Sequence, residues 1–311
     1  MTPDHVPPRR ITPLIAPAFA DGEPDFPFSD VHVVRLVQAA LDEDQASNDV
    51  TTIATVLPSR KARATLVARE GGVLCGVPLA LAAFQLCDDK VEIRVDAEDG
   101  HRVEQGSTVL FLNGKARGLL AAERTALNFL QHLSGIASMT ARYVDAVRGT
   151  NARILDTRKT TPGWRQLEKY AVRCGGGSNH RPTLADAVLI KDNHLVAVDG
   201  DVAVAVQRSR DLAPPGTFVQ VECDRLDQVR ASLAAGADAV LLDNMSLATM
   251  RDAVAIAAGR LLTEASGGVR LDTVRAIADT GVDRISVGAL THSAPAADLS
   301  LTVLPARSAG R

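Results

Sequence analysis

Five cationic side chains fall within 34 residues of this chain: Arg158, Lys159, His180, Arg181 and Lys191. Three carboxylates follow at wider spacing, Glu222, Asp243 and Glu264, and then two short glycine-containing stretches, Ser266-Gly267-Gly268 and Val287-Gly288-Ala289. Cations hold carboxylates or phosphates, Arg bidentately and Lys as a compact point charge. Carboxylates in the same cavity suit a divalent cation or the hydroxyls of a sugar. Glycine-rich loops at the ends of parallel strands cradle phosphate through backbone N–H groups. Together these residues point to an anionic acid and a sugar phosphate as ligands, with Mg²⁺. The lysines add to this. The chain has 28 Arg and six Lys, yet Lys159, Lys169 and Lys191 share this one region. Where Arg is the default cation, a Lys is kept for its compact charge or its tunable pKa.

Elements must bring these groups together. After residue 150, short apolar runs each end in a charged residue or glycine: RILD, AVLIK, FVQVE, AVLLD, LLTEASGG and RISVG. Helical patterns lie between them. Strands apolar on both faces and alternating with helices form a parallel sheet with helices packed around it. Six such units predict an incomplete α/β barrel of about six to seven strands, short of the eight of a full one. In such barrels the C-terminal strand ends converge on one mouth, so Arg158 and Lys159 are expected just past a strand end, facing a shared cavity.

Before residue 150 the texture differs. Residues 30–45 carry helical apolar spacing, and 61–77 read as two strands around a Gly-Gly turn. Strand patterns continue to 114, and 115–149 is strongly helical with an interruption expected at Ser134-Gly135. This predicts an N-terminal α/β sandwich ahead of the barrel. The domain reading is an arm over 1–29, a sandwich over 30–127 with 290–311, and a barrel over 128–289.

Composition excludes several function classes. Aromatics make up 3% and the net charge is −3, which disfavours stacking on single-stranded nucleic acid and general polyanion binding. No apolar stretch reaches the ~20 residues needed to cross a bilayer, and the proline-broken N-terminus has no signal-peptide core. Cys75, Cys87, Cys174 and Cys223 form no C-x-x-C pair and read as structural thiols of a cytoplasmic protein.

Each feature taken alone has a plainer reading. A charged strand end is commonly a structural ion pair, CGGGSNH at 174–180 reads as a flexible turn, and His194 reads as a helix cap. The combination is what packing does not explain.

The segment DTRKTTPGWRQLEKYAVRCGGGSNHRPTLADAVLIKDNH, 156–194, closely resembles the quinolinate phosphoribosyltransferases, also called carboxylating nicotinate-nucleotide pyrophosphorylases. The likeness extends through ERTALNFLQHLSGIAS (123–138), VECD (221–224), AVLLDNMS (239–246), EASGGV (264–269) and ISVGALTHSAPAADLSL (285–301). It implies that quinolinate and phosphoribosyl pyrophosphate give nicotinate mononucleotide, pyrophosphate and CO₂ with Mg²⁺. It further implies a sandwich joined to an incomplete barrel, with the chain end returning to the sandwich. It implies a homodimer in which Arg124 reaches the partner's site. Carried over, Arg158, Lys159, His180 and Arg181 surround the two carboxylates of the substrate, and Lys191 lies by the pyrophosphate. Glu222 and Asp243 hold ribose hydroxyls and Mg²⁺. Ser266, Gly267, Gly268, Val287, Gly288 and Ala289 cradle the 5′-phosphate.

The chain departs from the family pattern at Pro182-Thr183, at Trp164 and in the glycine-poor stretch 43–52. Three other readings compete: a paralogous pyrophosphorylase of the same fold acting on another base, a Schiff-base barrel using Lys191, and a sugar-phosphate sensor without turnover.

Overall fold

A computed structural model describes residues 25–305; the arm expected over 1–29 lies almost wholly outside the described residues. The described chain opens with α1 (Asp30–Glu43), α2 (Val50–Thr55), β1 (Lys61–Ala68), β2 (Gly72–Val73), α3 (Val77–Cys87), β3 (Glu92–Val95), β4 (Arg102–Val103), β5 (Thr108–Lys115) and the long helix α4 (Ala116–Ala146). It continues through β6 (Arg153–Leu155), α5 (Arg165–Cys174), β7 (Val188–Ile190), α6 (Asp192–Val196), α7 (Val202–Leu212), β8 (Val219–Cys223) and α8 (Leu226–Ala234). The remaining elements are β9 (Ala239–Asp243), α9 (Leu247–Ala257), β10 (Leu262–Ser266), α10 (Val274–Ala278), β11 (Arg284–Ser286), α11 (Ala289–His292) and β12 (Leu299–Pro305).

Two compact units result. One reaches His132 and resumes at Ala297; the other is Leu133–Ala296. The divisions thus fall at 132/133, inside α4, and at 296/297, where the sequence placed them at 127/128 and 289/290.

In the first unit, β1 buries Ala62, Ala64, Leu66 and Ala68, the period-2 alternation of a strand with one covered face. The antiparallel order is β12-β1-β5-β3, so the chain end does return to this sheet. Helix α1 buries Val33, Val37 and Leu41, spaced four apart on one helical face, and packs on α3.

The second unit carries the expected parallel sheet, in the order β6-β11-β10-β9-β8-β7. All six apolar runs of the sequence became its strands. The edge strands β6 and β7 do not pair with each other, and Ser178 makes a parallel bridge to Leu155 of β6. Residues from both edges nonetheless line one cavity of about 170 Å³, together with Gln220 of β8 and Arg284 of β11. The sheet therefore curls into an incomplete barrel.

The interruption expected at Ser134-Gly135 is absent: α4 runs unbroken from Ala116 to Ala146. Gly135 serves packing instead. A Cβ there would lie 2.1 Å from the Pro295 carbonyl oxygen, so only glycine lets that backbone approach the helix. The run at 174–180 is likewise no flexible turn. A Cβ on Gly175 would lie 2.4 Å from the Ala137 carbonyl oxygen, seating this segment against α4.

Candidate active site

The loop after β6 is anchored from below. Asp156, the last residue of the RILD run, is fully buried, and its Oδ1 accepts from Lys169 Nζ at 2.6 Å and from the His180 N–H at 2.8 Å. Its Oδ2 accepts from Asn179 Nδ2 at 2.7 Å. Lys169 Nζ also donates to the His180 carbonyl at 2.9 Å. Burial pushes Asp156 up and Lys169 down, and each partner's charge opposes the other's shift. One buried pair thus ties β6, α5 and the segment 178–180 together. Sequence reasoning had singled out Lys169 without a role, and it missed Asn179 altogether.

Above this anchor the cations gather. Arg158 and Arg181 each carry a buried Nε with no hydrogen-bond partner among the described residues. Burial lowers the Arg181 pKa, and the neighbouring Arg158 guanidinium lowers it further. Arg181 also donates to the Ala187 carbonyl at 2.7 Å. Two like charges held together with unpaired buried N–H groups are costly without an anion between them. Lys159 is exposed, and Thr291 Oγ1 donates to its carbonyl at 2.7 Å. A Cβ on Gly288 would lie 3.2 Å from Lys159 Cδ, so the lysine stem crosses the loop that follows β11. Thr291 was another residue that sequence reasoning missed.

The second half of the sheet supplies carboxylates. Glu222 pairs in register with Leu241, and Asp243 lies two residues beyond Leu241, on the same face. Lys191 Nζ meets Glu222 Oε2 at 2.6 Å. Asp243 Oδ2 accepts from Asn244 Nδ2 at 2.9 Å, and Asn244 takes the left-handed φ of 52°. Its amide is why Gly267 is glycine: a Cβ there would lie 2.2 Å from Asn244 Oδ1, and φ is +91°. Ser266 sits in register with Asp243, and the Val287 N–H donates to the Leu155 carbonyl at 2.9 Å. The two glycine stretches and Ala289 therefore stand at the same end of the sheet as Asp243 and Lys159.

Glu264 corrects an expectation. Expected at the mouth, it shares a row with Glu222, Leu241 and Arg284, one pleat deeper than Asp243 and Ser266, and unlike Glu222 it is fully buried. His194 does act as a cap, its Nδ1 accepting from the Lys191 N–H at 2.9 Å. Arg124 belongs to the first unit, exposed on α4, with no hydrogen bond or ion pair among the described residues. The four cysteines are free, three of them buried, and burial pushes Cys87 up to about 11 and Cys223 to about 12. No helix among the described residues is long and apolar enough to cross a membrane.

Comparison with known proteins accounts for both parts of the chain. Residues 49–134 match the quinolinate phosphoribosyl transferase N-terminal domain, and 136–302 match its C-terminal domain. The chain is 46% identical over 271 residues to a nicotinate-nucleotide pyrophosphorylase [carboxylating] of Mycobacterium leprae, covering 85% of this chain and 95% of that one. A probable enzyme of the same name from Bacillus subtilis is 40% identical, covering 84% and 90%. Among solved structures, the nicotinate-nucleotide pyrophosphorylase of Francisella tularensis superposes with a TM-score of 0.85 at 41% identity, covering 89% of this chain and 98% of that one. The chain belongs to the quinolinate phosphoribosyltransferase family, the carboxylating nicotinate-nucleotide pyrophosphorylases.

Proposed function

We propose that the chain transfers the phosphoribosyl group of phosphoribosyl pyrophosphate to the ring nitrogen of quinolinate and releases one carboxylate as CO₂. The products are nicotinate mononucleotide and pyrophosphate. The observation that carries the choice of base is the Arg158–Arg181 pair, whose orphaned buried N–H groups ask for an anion. With Lys159 beside them, these groups suit a dicarboxylate.

The pyridine nitrogen attacks C1 of the ribose as the C1–pyrophosphate bond breaks. Glu222 and Asp243 face the oxocarbenium character that develops there and hold the ribose hydroxyls. Lys191 is ion-paired with Glu222 and 46% exposed, the setting of a charged lysine that can neutralise a leaving pyrophosphate. A Schiff-base nucleophile needs a desolvated one. The nitrogen, now positive, draws the electron pair left when the adjacent carboxylate departs, and the ring carbon then takes a proton. No covalent nucleophile is required; the residues position and neutralise.

The carboxylate set fits Mg²⁺. Among the described residues no group of three or more His, Cys, Asp or Glu forms a cage, and Mg²⁺ is commonly bound by one or two carboxylates plus substrate phosphates. Glu222 and Asp243 would hold it, and it would offset the charge of the departing pyrophosphate. Gly267, Gly268, Gly288 and Ala289 offer backbone N–H groups to the 5′-phosphate, flanked by Ser266 and Val287. Arg124, exposed on α4 and without a hydrogen bond or ion pair among the described residues, completes the site of a second copy in a homodimer, and the buried free thiols suit a cytoplasmic enzyme.

Purified protein with quinolinate, phosphoribosyl pyrophosphate and Mg²⁺ should yield nicotinate mononucleotide, pyrophosphate and CO₂ in equal amounts. Absence of turnover while phosphoribosyl pyrophosphate still binds would assign another base to this site.

A further inference from the structure

Both ring nitrogens of His180 are turned toward protein. The backbone N–H of Arg181 donates to His180 Nδ1 at 2.8 Å. An amide N–H can only donate, so Nδ1 presents a lone pair and the ring proton sits on Nε2. Nε2 faces Glu264 Oε1 at 3.5 Å, in surroundings that leave the histidine side chain 13% exposed and the glutamate side chain fully buried. Glu264 is itself fixed: Gln220 Nε2 donates to Oε2 at 3.1 Å, and Ser286 Oγ donates to Oε1. The main chain of His180 is held as firmly, by Asp156 at its N–H and Lys169 at its carbonyl.

We propose that His180 works as an uncharged strut between the Arg181 main chain and Glu264, and that Glu264 is the positioning residue that sets its ring. The proposal rests on the reaction given above, and it changes how the substrate is held. The grip on the two carboxylates falls to Arg158, Lys159 and Arg181, while His180 keeps the Arg181 backbone in place for that grip. Protonating the ring would put a proton on Nδ1 against the Arg181 N–H and forfeit that hydrogen bond. The charged groups facing His180 come from four elements. Glu264 of β10 and Asp156 at the end of β6 favour the imidazolium; Lys169 of α5 and the adjacent Arg181 oppose it. Burial is the largest influence and, with Lys169 and Arg181, outweighs the two carboxylates and lowers the pKa from 6.5.

Nitrogen-15 NMR of histidine-labelled wild-type protein, with His180→Asn assigning the signal, reads the ring directly. His180 should show the Nε2–H tautomer at pH 8 and stay neutral at pH 6, where an ordinary histidine is roughly three-quarters protonated. Glu264→Gln should disturb that tautomer signal and raise the KM for quinolinate about tenfold, leaving the KM for phosphoribosyl pyrophosphate unchanged. The double variant with His180→Asn should be no worse than the poorer single variant, as expected of two residues acting as one unit. A His180 protonated at pH 6 in the wild type would overturn the uncharged strut, and that measurement needs no variant to fold. An unaltered tautomer and quinolinate KM in Glu264→Gln would remove Glu264 from the role. If the wild type fails to turn over quinolinate, the proposed reaction falls, while the ring's state is still decided by its spectrum.

Discussion

The buried pair Lys169–Asp156 is where single residues matter most. Neither charge can be left alone: removing one partner of a buried ion pair costs about 3–5 kcal/mol, whereas removing both can be nearly neutral. Lys169→Met should therefore lower the urea midpoint sharply, and Asp156→Asn added to it should recover much of the loss. A second residue-scale expectation concerns pH. His180 has a folded pKa below its ordinary 6.5, so between those values the unfolded chain binds more protons than the folded one. Its contribution is intact above about 6.5 and is lost as pH falls below that value, since stability rises with pH wherever the unfolded state is the more protonated. Urea unfolding at pH 7.5 and pH 5.5 should show a smaller loss in His180→Asn than in the wild type. An equal loss in both proteins would mean that His180 titrates normally.

At the scale of elements, α4 is the instructive case. Glycine inside a helix ordinarily costs about 1 kcal/mol relative to alanine, so Gly135→Ala should stabilise the helix taken by itself. The Pro295 carbonyl, 2.1 Å from where the new Cβ would sit, reverses the sign. With overpacking at about 1–3 kcal/mol set against that gain of about 1 kcal/mol, contact with rigid backbone puts the expected net loss toward the upper end, up to about 2 kcal/mol by denaturant titration. This glycine also shows what the sequence could and could not reveal. The six barrel strands were legible because each apolar run ended in a charged or glycine residue. The helix was legible from its periodicity, but the reason for Gly135 lies 160 residues away at Pro295, beyond any local pattern. The same holds for Glu264. Its place at the end of a strand pattern was readable, but its full burial depends on the Gln220 and Ser286 side chains that close on it from neighbouring strands, which no spacing records. Asp156 and Asn179 escaped for a related reason: they act by anchoring a loop, a role that has no residue-type signature.

The whole molecule places its chemistry in the second unit, where Arg158, Lys159, Arg181, Lys191, Glu222 and Asp243 all lie, and leaves Arg124 in the first. If Arg124 completes a second copy's site, Arg124→Ala and Lys159→Ala should each collapse activity, and mixing the two should restore up to about a quarter of it, because a random hybrid dimer holds one intact site of two. Mixtures as inactive as their components would confine Arg124 to its own chain. The central claim is that Arg158, Lys159 and Arg181 together grip a dicarboxylate. Calorimetric titration of the intact enzyme with quinolinate, and with nicotinate, which lacks the second carboxylate, tests it most directly. A charged hydrogen-bonding group left unpaired costs about 1.5–3 kcal/mol, so quinolinate should bind about ten- to a hundredfold more tightly. Equal affinity for the two acids would contradict the account.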